Sequence, residues 1–169
     1  MDGDTSRDMR YAPPQAHVED VTVPEGGLVL ASRMQRFWAS MVDLGIAIAA
    51  YWVASLVTPW NPWADRGLWT PDIVTPIAGF VLFAALHGWL LARRGQTIGK
   101  ALLGVRIVRS NGERASLAQL LLVRYGVGYV MTIVMPIGQI YGMVDVLLIF
   151  RASRRCLHDL IADTIVVKA

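Results

Sequence analysis

Apolar residues fall into two long runs and one interrupted run. The first covers residues 37–57 (FWASMVDLGIAIAAYWVASLV) and is closed by Thr58-Pro59. At about 21 residues it has the length of a helix that crosses a bilayer. The second covers 73–92 (IVTPIAGFVLFAALHGWLLA) and is stopped by Arg93-Arg94. Pro76 falls in its first turn, where a missing N–H costs little. The third occupies 116–150. Ser116-Leu117-Ala118-Gln119 fits a capping box that opens a helix. That helix carries Arg124 on its early turns, becomes apolar from Tyr125 and reaches 135. Pro136-Ile137-Gly138 predicts a break or kink, and a shorter apolar piece follows at 139–150. The pattern therefore predicts helices over about 36–57, 73–92, 116–135 and 139–151.

The segments between are polar and distinct. Residues 93–114 are basic and Gly-rich, and within them 105–109 reads as a short strand followed by the turn signal Asn111-Gly112. Residues 164–167 read as a second short strand able to pair with 105–108. Trp60, Trp63 and Trp69 stud the loop after the first run and suit a lipid–water boundary. Asp65 and Asp72 offset Arg66 there. Residues 1–27 are polar, carry Pro13-Pro14 and Pro24, lack the apolar core of a cleavable signal, and read as a disordered cytoplasmic tail. The fold class expected is an all-α transmembrane helical bundle over 32–168, with a small cytoplasmic β element.

Orientation follows from charge. Basic residues collect at Arg33 and Arg36 and again from Arg93 to Arg114, which places both sets in the cytoplasm and the Trp-rich loop outside. The third region has basic residues at both ends. A hairpin broken near Pro136 keeps both ends cytoplasmic and gives four membrane segments. One long kinked helix gives three and exports Arg151, Arg154, Arg155 and Lys168. The hairpin is preferred on the charge rule, although its second arm is short.

Composition agrees with this class. Hydrophobic residues make up 54% of the 169 residues, and the mean hydropathy is +0.44. The net charge is +3, yet the first 25 residues hold six acids and two bases, so the remainder is basic. That basic excess lies beside apolar runs and reads as anchoring on anionic membrane lipid, with no nucleic acid partner. The one cysteine, Cys156, excludes an internal disulfide. It reads as a free thiol; its basic neighbours also admit a reactive, low-pKa thiol.

Three groups stand out as candidate chemistry. Asp43 lies seven residues beyond Arg36, ~10 Å along a helix axis. A carboxylate at that depth needs a partner. Arg36 is too far for easy pairing and is expected to snorkel to the headgroups. His87 precedes Arg93 by six residues and Asp145 precedes Arg151 by six, so each sits ~9 Å from the cytoplasmic edge. Asp43, His87 and Asp145 then share one layer, which reads either as a hydrogen-bonded packing network or as a site handling a proton or small cation. Gly45 with Ala49, and Gly138 with Gly142, have the spacing of close helix contacts. Gly95-Gln96-Thr97-Ile98-Gly99-Lys100 is not a phosphate loop: three residues separate its glycines, and Ala101 follows the lysine. His158-Asp159 is a weak metal signal, and no metal or cofactor is expected. No nucleophile arrangement is recognisable, so the chain is not read as an enzyme.

Several of these pieces resemble one family. RFWASMVD at 36–43 looks like the opening of the RDD family of bacterial membrane proteins. The stretch 95–108 is similar to that family's G-x-T-x-G-K-x-x-x-G-x-x-V, with Gly95, Thr97, Gly99, Lys100 and Gly104 in place. LHDLIADT at 157–164 resembles its L-H-D-x-x-A-G-T, with His158 and Thr164 matching and Asp163 standing where the family usually has Gly. The resemblance carries the signature arginine and aspartates onto Arg36, Asp43 and Asp159, with Asp145 as the alternative for the last. It implies a bacterial membrane location and no activity; with the charge rule, the chain is expected to be a multi-pass protein of the inner membrane with a cytoplasmic N-terminus. The expected role is a structural or accessory component that binds lipid, a membrane-protein partner or a second copy of itself. The alternative is a small cation or proton transporter using Asp43, His87 and Asp145. An enzyme acting on a lipid headgroup ranks last.

Overall fold

The computed structural model describes residues 27–169 apart from 62, 63, 65, 66, 68 and 152. The expected tail at 1–27, except Gly27, and the roles given to Trp63, Asp65 and Arg66 lie outside the described residues. Helix α1 (Arg33–Val57) starts one turn ahead of the predicted 36 because Ser32 caps it. The Ser32 hydroxyl accepts from the Gln35 N–H, and the Gln35 side chain accepts from the Ser32 N–H, both at 3.1 Å. Helix α2 (Val74–Arg94) has Pro76 in its first turn and ends at Gly95, whose φ of 65° closes the helix in the left-handed region. A Cβ there would meet the Ile107 carbonyl oxygen at 2.7 Å, so glycine is needed for both conformation and space.

The chain then turns back as a short helix α3 (Ile98–Leu102) and strand β1 (Val105–Arg109). Strand β2 (Thr164–Lys168) pairs with β1 antiparallel, with Val105 opposite Lys168 and Arg109 opposite Thr164. The predicted strand pairing is therefore present, and Leu30 adds a bridge to Val167. Asp163 has a φ of 47° just before β2. Its carboxylate accepts from the Ser110 hydroxyl at 2.5 Å and from Arg155 at 3.3 Å, which holds a non-glycine residue in that conformation.

The third region departs from the prediction at its break. A π-helical segment (Gln119–Tyr125) continues as α4 (Gly126–Met131), and α5 (Met135–Leu147) ends in a 3-10 turn (Leu148–Phe150). The interruption falls at 132–134, ahead of Pro136, because a proline in the first turn of a helix loses no hydrogen bond. Ser116 does cap the start, accepting from the Gln119 N–H at 3.1 Å. Two contacts fix the ends of α5. The Asp72 N–H, beside the start of α2, donates to the Ile133 carbonyl at 2.8 Å. Arg33, at the start of α1, donates to the carbonyls of Ile149 and Phe150 at 3.2 and 3.3 Å. Helix α6 (Leu157–Ile161) leads into β2.

Burial divides the molecule into two kinds of structure. The packed core, including Ala31, Ala39, Leu91, Val105, Ile107, Leu120 and Val166, sits where the β-ribbon cap meets the ends of α1, α2 and the π-helix. Away from the cap, large apolar side chains face outward: Trp52, Val53, Leu56 and Val57 on α1, and Val74, Ile77 and Val81 on α2. Helices α1 and α2 are long and apolar enough to cross a membrane. Exposed apolar faces of this extent fit a lipid environment and not water. Gly45 and Ala49 are exposed, with no atom within 4 Å of a Cβ built on Gly45. Gly138 instead packs closely on Thr132.

Candidate functional site: two buried ionic clamps

The first clamp is built around Asp159, which is fully buried. Its position at the third residue of α6 lets Oδ2 accept from the Cys156 N–H at 3.0 Å. Arg36, in the first turn of α1 and 7% exposed, donates to the same Oδ2, to the Arg154 carbonyl and to the Cys156 sulfur at 3.3 Å. Arg124, on the π-helix and 1% exposed, pairs with Oδ1 and donates to the Thr164 hydroxyl. One carboxylate thus joins α1, the π-helix and the α6–β2 segment. Arg36 does not snorkel to the headgroups as expected. Its charge-assisted bonds to a buried acid and a carbonyl satisfy the guanidinium inside the protein.

His158 extends this cluster. Its Nε2 lies 3.1 Å from Arg124, and its Nδ1 lies 2.8 Å from both Asp145 oxygens. The His158 N–H also donates to Asp145 at 2.9 Å. Because a guanidinium can only donate, Nε2 accepts and Nδ1–H donates, which makes the ring neutral. Burial and then Arg124 push the His158 pKa down, in agreement with that form. Burial alone would raise the Asp159 pKa, but Arg124 and Arg36 together hold it well below the usual carboxylate range. Two guanidiniums and two carboxylates leave the whole cluster close to neutral. Burial pushes the Cys156 thiol up to about 11, offset only in part by Arg36. The basic neighbours therefore do not produce a reactive thiol.

The second clamp is built around Asp43, two turns beyond Arg36 on α1. Its Oδ2 accepts from the Thr97 hydroxyl at 2.5 Å, and its Oδ1 accepts from the Gly99 N–H at 2.7 Å. The Lys100 ammonium lies 3.7 Å from Oδ2. Thr97 also caps α3 by accepting from the Lys100 N–H at 3.4 Å. A Cβ on Gly99 would strike the Ala39 carbonyl and come within 2.8 Å of Asp43 Oδ1, so the G-x-T-x-G-K stretch lays its backbone directly on α1. His87 is 2% exposed, accepts from the Ile98 N–H at 3.3 Å and packs on Phe83. Gly104 turns the chain into β1 with a φ of 64°.

Asp43, His87 and Asp145 are distributed over these two clamps. Asp43 and His87 both hold the 97–99 segment, whereas Asp145 holds His158. The expected partner of Asp43 was His87 or Asp145; the groups bonded to it are Thr97 and Gly99. Asp43 and Asp145 nevertheless line one cavity of about 650 Å³ between α1 and α5. Asp145, Cys156 and His158 place ligand atoms within 4.8 Å of one another, the described residues best arranged for a metal. Arg36 donates to the Cys156 sulfur and Arg124 to His158 Nε2, and the two guanidiniums oppose a cation there.

Sequence reasoning missed the role of one residue and the destination of two others. Arg124 was read only as the polar mark of an amphipathic turn. Its signal is the apolar context LLLVRYGVGYVM, which leaves a guanidinium no exit and requires a buried acid. Thr97 and Gly99 were read as a cytoplasmic motif without a destination.

A family model, that of the RDD family, matches residues 30–163. An uncharacterised protein, YckC of Bacillus subtilis (strain 168), is 32% identical over 133 residues, covering 79% of this chain and 83% of that protein. No solved structure matches. The matched region contains Arg36, Asp43, Arg124 and all of α6, and the chain belongs to the RDD family.

Proposed function

We propose that this chain is a structural or accessory component of the bacterial inner membrane, with four membrane segments and both ends cytoplasmic. The observation that carries the role is the full engagement of the signature residues. Asp159 is held by Arg36 and Arg124, and Asp43 by Thr97 and Gly99, so each acid ties the cap to the membrane helices. The hairpin topology is supported by the two ends of α5, one bonded beside the start of α2 and the other beside the start of α1. Partner contact is supported by the uncovered Gly45 and Ala49 face, whose small residues admit a second helix at close range. The cap adds a basic face of Arg93, Arg94, Arg106 and Arg114. No catalytic arrangement is assigned.

The test is the chain reconstituted in vesicles with a pH-sensitive dye inside. An accessory role predicts no cation-dependent pH change, and Asp43→Asn lowers protein level or assembly. The second reading is a cation or proton transporter, favoured by the cavity that Asp43 and Asp145 share and by His87 beside Asp43. It predicts cation-dependent pH changes that Asp43→Asn abolishes while the protein still accumulates. That outcome would replace the first reading.

A further inference from the structure

The cavity between α1 and α5 has a specific division of surfaces. Phe37, Met41 and Leu44 from one side, and Val146 and Phe150 from the other, form apolar walls, with Phe83 behind them. These wall residues other than Phe83 are also exposed, so the opening lies along faces that meet the bilayer. An occupant of such a cavity enters from the lipid phase. The volume of about 650 Å³ falls within the usual range of ligand sites, about 300–1,000 Å³.

The inner end is charged, and its lysine is incompletely satisfied. The Lys100 side chain is 10% exposed and has Asp43 at 3.7 Å, beyond hydrogen-bond reach. Among the described residues its ammonium makes no hydrogen bond; the Tyr125 ring lies 5.9 Å away. Asp43 accepts from Thr97 at Oδ2 and from Gly99 at Oδ1, and Oδ2 stays 3.7 Å from the ammonium. Three strong donors so placed call for an acceptor from outside the chain. Arg33, at the cytoplasmic rim of the cavity, spends its donors on backbone carbonyls and contributes a positive charge there.

We propose that this cavity binds one anionic phospholipid of the cytoplasmic leaflet, an acyl chain between α1 and α5 and the headgroup phosphate on Lys100. The inference rests on the membrane reading above and assigns that component its lipid. An amphiphile matches both surfaces, since its chain covers the apolar walls and its phosphate oxygens accept from the buried ammonium. A zwitterionic lipid matches the walls equally, but its choline cation is opposed by Lys100 and by Arg33 at the rim.

The test uses the full chain extracted from membranes in mild detergent. Resistance of the membrane-bound chain to alkaline carbonate is checked first, so that failure of the membrane reading shows separately. Native mass spectrometry then compares retention of phosphatidylglycerol with phosphatidylcholine. The expected result is one retained phosphatidylglycerol per chain, preferred by about tenfold, because either phosphate accepts from Lys100 and only the choline cation is repelled by Lys100 and Arg33. Lys100→Gln should bring the preference close to unity without removing retention of phosphatidylcholine. A phosphatidylglycerol with a diazirine in its acyl chain should label peptides of both α1 and α5 in the unsubstituted protein. Equal retention of the two lipids, or labelling spread over the outer faces of α1 and α2, would overturn the proposal as general annular lipid. No retained lipid on a carbonate-resistant chain would overturn it while leaving the membrane reading intact.

Discussion

Asp159→Asn is the substitution whose cost the structure specifies most closely. The asparagine keeps the shape and one acceptor oxygen and removes the charge. Arg36 and Arg124, 7% and 1% exposed, then share no anion. Orphaning a buried ion-pair partner costs about 3–5 kcal/mol. Whole-protein stabilities run about 5–15 kcal/mol, so the loss is a large share. For a chain of this size it corresponds to a fall in Tm of roughly 6–20 °C. The assay is thermal unfolding in detergent, read by size-exclusion of a tagged chain and by the appearance of the Cys156 thiol, which is buried in the fold. Asp163→Asn is the matched control, an exposed acid with weaker partners. Arg124→Met combined with Asp159→Asn should recover part of the loss, because it removes one of the two orphaned charges. A single Asp159→Asn chain that melts within about 2 °C of the unsubstituted protein would refute the clamp.

Gly99→Ala should lower stability by about 1–3 kcal/mol, as overpacking does, because its Cβ meets the Ala39 carbonyl; accumulation in membranes and melting in detergent measure it. Cys156 should resist maleimide at pH 7.5 in the folded chain and react once the cap unfolds, since its pKa is raised to about 11; rapid labelling of the native chain would contradict this. The His158 pKa is depressed on folding, so the unfolded chain takes up the proton first as pH falls below its ordinary value of about 6.5. Stability should therefore decline from pH 7.5 toward pH 5.5, and His158→Gln should reduce that slope. The Asp159 carboxyl is also depressed, so its contribution is complete above the ordinary carboxylate pKa of about 3.9 and is lost only in stronger acid.

The apolar helices and the two strands were legible because their signals are local. A run of about 20 apolar residues fixes a span, and short strands of β-branched residues bounded by turns fix the ribbon. The clamp was legible only as a set of residue types. Arg36 and Asp159 are separated by 123 positions, and no periodicity joins them. Counting depth along helices placed Asp43, His87 and Asp145 at one level, but depth does not give azimuth. It also takes no account of a polar segment folding back to reach Asp43. Pro136 was placed correctly as a discontinuity and misplaced by one turn, since proline starts α5 more easily than it ends α4. The Gly99 contact became visible only when α3 was seen lying on α1.

The account rests on Asp43 serving as the anchor of the cap. Limited trypsin digestion of membranes tests this directly, because Lys100 immediately follows the 97–99 segment that Asp43 holds and Arg106 lies in the strand behind it. In the unsubstituted chain Lys100 is buried and the segment should resist cleavage. Asp43→Ala leaves the Thr97 hydroxyl and the Gly99 N–H without their acceptor, and cleavage at Lys100 or Arg106 should accelerate severalfold. Equal cleavage rates in the two proteins would contradict the account.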